Sequence, residues 1–175
     1  MTLRVSLLAL LSLLAVNVGR AATVPEELRG LVDAPRPAAC SEVSFLFWDL
    51  YRAELWSDSG ELPGSPFGLS LTYRSIFSKQ ELVDSSISEM ARISRREETT
   101  FAVSRTELVD SFRDVIPGDR ITAWRSGPSK MRFFHNGAET GTMIHDVDLF
   151  LDIWLGDRAR HKESRQALLS GQCDG

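Results

Sequence analysis

From Gly118 to Gly156 the chain reads GDRITAWRSGPSKMRFFHNGAETGTMIHDVDLFLDIWLG, and no other stretch restricts the fold as much. RITAWR and KMRFFH flank Ser126-Gly127-Pro128-Ser129, so two strands are joined by a short loop. Asn136-Gly137 then supplies the two positive φ angles of a type I′ hairpin turn, which adds a third strand. Asp146 and Asp148 suit the positive end of a helix. Phe150, Ile153, Trp154 and Leu155 give that helix an apolar side, and Gly156 ends it. The block holds no nucleophile elbow, glycine-rich phosphate loop or paired-cysteine site.

The segments before it alternate and then turn helical. VSFLFWDLYRAELW starts the ordered part at Val43 and reads as one strand. Phe45, Phe47, Tyr51, Ala53 and Leu55 share its core face, and Trp48, Leu50, Arg52 and Glu54 the other. In FGLSLTYRS, Phe67, Leu69, Leu71 and Tyr73 alternate with Gly68, Ser70, Thr72 and Arg74, the pattern of a half-buried strand. Ser78 and Glu81 form a capping box with Phe77 and Leu82 as its hydrophobic staple, so a helix starts at Ser78. Val83, Ile87, Met90, Ala91 and Ile93 continue its apolar stripe. The same device is expected at Ser104 and Glu107, with Val103 and Leu108 as staple. A last helix is expected over Glu163 to Leu169. Strands, two helices, a meander and two more helices make an α+β domain with helices gathered on one face of an antiparallel sheet.

The N-terminus bears on compartment. Arg4, the apolar run Val5 to Val18, and then Gly19 and Ala21 have the order of a secretory signal peptide cut after Ala21. That run has 14 residues, and spanning a bilayer takes about 20. The expected mature chain is exported without a transmembrane segment, periplasmic if the source is a Gram-negative bacterium. It divides into an N-terminal arm over 22–42, one domain over 43–171 and a tail over 172–175. A formal charge of -4 and the lack of a long Lys/Arg block argue against nucleic acid or an anionic membrane as partner. Cys40 and Cys173 lie at opposite ends of an exported domain, where termini are often close. Either they form a disulfide or they remain two thiols.

Several of these patterns together resemble the chalcone isomerase-like proteins: FWDLYRAELW, PFGLSLTYRSIFSKQELVDSSISEM, FRDVIPGDRITAW, RFFHNGAETG, and FLDIWLG with a trailing helix ending in LLSG. The resemblance covers roughly Ser44 to Gly171. It implies an open-faced sandwich, one antiparallel sheet covered by helices with a ligand cleft between them. The family includes plant isomerases that close a chalcone to a flavanone, plant fatty-acid-binding relatives, and exported bacterial members without an assigned role. The isomerases use an early-strand Arg, a Thr about a dozen residues later, and a Tyr, Lys and Asn on the first long helix. That helix has Leu82, Ser85 and Glu89 at the corresponding positions, the Arg would fall near Ala39 or Cys40, and the Thr position corresponds to Tyr51.

In the fatty-acid-binding relatives the resemblance places a Tyr at the position of Tyr51, against a ligand carboxylate. Tyr51 is therefore the leading ligand contact, although a core tyrosine with a satisfied hydroxyl fits the position as well. Tyr73 shares the apolar face. Arg74, like Arg52 and Arg132, serves as a cation only if a bulge turns it inward. His145, Asp148 and Asp152 share a helix face at metal-ligand spacing, but acidic residues there already suit the helix dipole, and no metal or other cofactor is expected. The preferred reading is a non-catalytic module holding a small apolar ligand such as a fatty acid. An isomerase or lyase acting on a chalcone-like enone with rearranged polar groups, and a structural or partner-binding protein with a filled cleft, are the alternatives.

Overall fold

The computed structural model describes residues 24–31, 35–45, 48–57 and 66–171; the expected signal peptide and Cys173 lie outside the described residues. Six strands pair antiparallel in sequence order: β1 (Arg36–Phe45), β2 (Trp48–Ser57), β3 (Phe67–Tyr73), β4 (Arg120–Gly127), β5 (Lys130–His135) and β6 (Ala138–Met143). Between β3 and β4 run α1 (Lys79–Ser94), a 3-10 turn over Glu98–Phe101, and α2 (Ala102–Ser111); α3 (Val147–Leu155) and α4 (Lys162–Ser170) follow β6. The four helices cover one face of the sheet. The core lies between the layers, where Leu55, Leu69, Ala123 and Phe133 stand in one cross-strand row beneath Ile87, Met90, Phe150 and Leu168.

Local chemistry accounts for the element ends. The Ser78 hydroxyl accepts from the Glu81 backbone N–H at 3.2 Å while the Glu81 carboxylate accepts from the Ser78 N–H at 2.8 Å, a complete capping box. Asn136 and Gly137 take φ of 49° and 90°, as the two-residue turn between β5 and β6 requires. At Gly141 an added Cβ would stand 2.9 Å from the Ser111 Cα, so the missing side chain lets the end of α2 lie directly on β6.

Three expectations change. The single strand from Val43 is a hairpin, with β1 reaching back to Arg36 and Cys40 paired opposite Glu54. Pro35 and Pro37 conceal that strand in the sequence, and β1 tolerates Pro37 because it is the sheet edge. β3 is buried on both faces. A 3-10 turn over Glu26–Gly30 crosses the outer side of the sheet, where Leu28 packs with Trp56, Trp124 and Phe134. The Glu27 carboxylate is enclosed there, accepting from Arg120 at 3.0 and 3.2 Å and from the Thr122 hydroxyl, which in turn accepts from Ser70 at 2.9 Å.

The third change concerns Ser104. It caps nothing, because the 3-10 turn carries the chain into α2 two residues earlier. Its hydroxyl donates instead to Asp146 at 2.7 Å, and Val103 points to solvent. Glu107 accepts from the backbone N–H groups of Ile144 and His145 and lies 2.8 Å from His145 Nδ1, fastening α2 to the turn that begins α3.

Candidate functional site

A cavity of about 350 Å³ lies between the sheet and the helices. Leu69, Leu71, Ile121, Ala123 and Phe133 form its floor; Leu82 from α1, Phe150 and Ile153 from α3, and Leu168 from α4 form its roof. The strand face required by the antiparallel register and the apolar stripes of three helices thus meet without filling the space. A cleft of this size and apolar lining is the ordinary form of a small-molecule site.

Tyr51 and Tyr73 pair across β2 and β3, and both line the cavity. Their rings meet edge to face with centroids 5.8 Å apart, and Phe77 meets Tyr73 in the same way at 5.9 Å. The Trp154 indole N–H donates to the Tyr51 oxygen at 3.0 Å. That oxygen keeps its own proton, because burial pushes the Tyr51 pKa up to about 12, the Trp154 hydrogen bond offsets part of this, and the Glu89 charge adds to it. The Tyr73 hydroxyl is raised further, by burial and then by Tyr51. Both are neutral O–H groups across the physiological range.

One end of the cavity is charged. Glu89 accepts from Arg92 at 2.6 and 3.0 Å and from Arg160, whose Nε lies at 2.9 Å. Burial alone would raise the Glu89 carboxyl, but the hydrogen bonds and charges of the two arginines outweigh it and hold it below the usual carboxylate range. Arg160, His161 and Ser164 complete this end from the link between α3 and α4 and from α4 itself. Arg92 also donates to the Arg158 carbonyl, and Arg158 to that of Ile93, so the link is tied to the C-terminal half of α1.

The expected site residues therefore separate. Tyr51 and Tyr73 face the cavity, whereas Arg74 does not line it. Arg74 binds the Glu42 carboxylate at 2.9 and 3.1 Å on the other side of the strand, because no bulge interrupts the alternation of β3. Arg52 pairs with Glu42 and Glu54, and Arg132 with Glu139. His145 faces Glu107, Asp148 pairs with Arg125 at 2.6 Å, and no cluster of three metal-ligating side chains forms among the described residues. Trp154, Arg160, His161 and Ser164 were not expected at a site. The Tyr51–Trp154 contact joins residues 103 apart in sequence, and periodicity shows only that Trp154 faces inward.

Leu82, Ser85 and Glu89 all line the cavity, so the positions aligned with the isomerase Tyr, Lys and Asn do reach it. Their chemistry differs. Leu82 carries no polar group, Ser85 no charge, and Glu89 is held by two arginines.

Comparison with solved structures finds the crystal structure of a fatty-acid binding protein from Arabidopsis thaliana, with a TM-score of 0.56 and 13% sequence identity. The superposition covers 78% of this chain and 87% of that one. This is the chalcone isomerase-like fold. No family model matches the chain, and no curated protein matches it by sequence. The likeness establishes the α+β open-faced sandwich, and the chemistry of the site has to be argued from its own residues.

Proposed function

We propose that the chain is a non-catalytic binding module that holds a small, mainly apolar molecule, such as a fatty acid, between sheet and helices, with Tyr51 at the ligand's polar end. The observation that carries this reading is the apolar cavity of about 350 Å³ with a tyrosine O–H on its wall. At about 30 Å³ per water-sized unit it has room for roughly a dozen heavy atoms, the scale of a medium-length acyl chain. The Arabidopsis protein of similar fold is named for binding a fatty acid, which supports the same ligand class. Titration of the purified chain with decanoic acid or its methyl ester by calorimetry tests the proposal: saturable binding at one site is expected, and no heat from either compound would refute it.

The cavity argues against a filled cleft. The enone-isomerase reading lacks a group that could hold a phenolate, since the cation at the cavity's edge, Arg160, is already bonded to Glu89. Loss of chalcone absorbance above the spontaneous rate, abolished in Tyr51→Phe, would revive it. Export also belongs to the proposal, supported by the charge, apolar run and small residues of positions 4–21. An intact mass beginning at Ala22 in the exported fraction is the expected result.

A further inference from the structure

We infer that the cavity accepts the oxygen-bearing end of its ligand uncharged, as an ester, ketone, alcohol or protonated acid, with the Tyr51 and Tyr73 hydroxyls as donors. This rests on the ligand-binding reading above and narrows it to a chemical class. A phenol has one proton to donate and lone pairs to accept with. The Tyr51 oxygen already accepts from Trp154, so its proton is directed to another acceptor. The Tyr73 side chain is buried on the same wall, and no side-chain hydrogen bond reaches its hydroxyl among the described residues.

The charges around these two donors disfavour an anion. Glu81 and Glu89 both line the cavity from α1. Glu81 is held by the Ser78 backbone and hydroxyl, and Glu89 lies close enough to act on Tyr51. On the cationic side, Arg160 and the Arg92 behind it both bind Glu89. A carboxylate at the tyrosine pair would have to shed its hydration in an apolar chamber, near the Glu89 carboxylate and with both guanidinium groups at that end already bonded to Glu89. A neutral oxygen takes the same two hydrogen bonds without that penalty. The hydroxyls that line the rest of the cavity carry no charge: Ser86 donates to the Leu82 carbonyl and Ser164 to that of Glu42, and Ser85 lies beside Ser86 on α1. His161 is the one imidazole among the lining groups, so it needs a control.

The test compares decanoic acid with methyl decanoate, titrated into the full chain at pH 6 and pH 8. Methyl decanoate is expected to bind equally at both. Decanoic acid should weaken by about tenfold per pH unit, as its protonated fraction falls above the carboxyl pKa. His161→Gln should keep that dependence, and the Tyr51→Phe, Tyr73→Phe double variant should bind the ester about tenfold more weakly. Decanoic acid binding as tightly at pH 8 as at pH 6, or a pH dependence that vanishes in His161→Gln, overturns the inference while leaving the cavity a ligand site. Failure of both compounds to bind removes the reading and the inference together.

Discussion

The indole of Trp154 donates to the hydroxyl of Tyr51 across 3.0 Å, so α3 is fastened to β2 at the wall of the cavity. Replacing Tyr51 by Phe removes the acceptor and leaves a half-buried indole N–H without a partner. A stability loss of about 1–2 kcal/mol is expected, read from chemical denaturation, together with weaker ligand binding. Trp154→Phe removes donor and bulk but leaves the Tyr51 O–H, so it should affect stability more than recognition of the ligand's oxygen.

Ala123 lies on the cavity floor between Leu69 and Phe133 in the cross-strand row. Ala123→Phe directs a ring into open space rather than into packed neighbours, and overpacking a filled core typically costs about 1–3 kcal/mol. The variant should therefore fold with a midpoint near that of the parent and lose saturable binding of methyl decanoate. Retained binding would place the ligand elsewhere.

The enclosed Glu27 carboxylate gives a pH dependence with a definite sign. Burial alone would raise its pKa, but hydrogen bonds from Arg120 and Thr122 and the Arg120 charge outweigh burial and leave it below the ordinary value. The unfolded chain then binds this proton more tightly than the folded one. The stabilisation is fully present above the unfolded-state pKa, about 4.3, and is lost as pH falls through the folded value. Glu27→Gln should destabilise the protein by about 1–3 kcal/mol near neutrality. Its thermal midpoint should also fall less than the parent's between pH 6 and pH 3; parallel curves would contradict this.

The two capping-box patterns show how far the sequence reports the fold. Ser78→Ala should cost about 1 kcal/mol because a real cap is lost. Ser104→Ala should instead loosen the tie between α2 and Asp146, with hydrogen exchange rising around residues 144–147. Both serines precede a Glu by three positions, and only the backbone path into each helix distinguishes them. The strand and helix alternation, the Asn136-Gly137 turn and the end of α3 at Gly156 were readable because local chemistry determines them. The edge strand through Pro37 and the outer crossing of Leu28 and Glu27 were not, because tertiary neighbours determine those. At the site, alternation placed Tyr51 and Tyr73 on one face, but nothing local indicated that Trp154 and Arg160 would converge there.

We propose that Cys40 pairs with Cys173. Cys40 is buried on β1, and no free thiol occurs among the described residues. A Cβ at Gly171 would stand 3.5 Å from the Ala38 carbonyl, so the end of α4 returns to β1 just before Cys173, whose own position is outside the described residues. Two further residues span at most about 7 Å, within reach of Cys40. Alkylation without reductant should add no label and alkylation after reduction two. A bond closing so long a loop is worth about 5 kcal/mol in the chain-entropy model. Two labels without reductant would disprove the pairing.

The most direct test of the central claim is native mass spectrometry of the full chain, purified without organic solvent and then exposed to methyl decanoate. One ligand per chain is expected, either copurified or taken up on addition, and Ala123→Phe should carry none. A bare protein mass that stays bare with added ester, or equal loading of Ala123→Phe, would contradict a ligand chamber between sheet and helices.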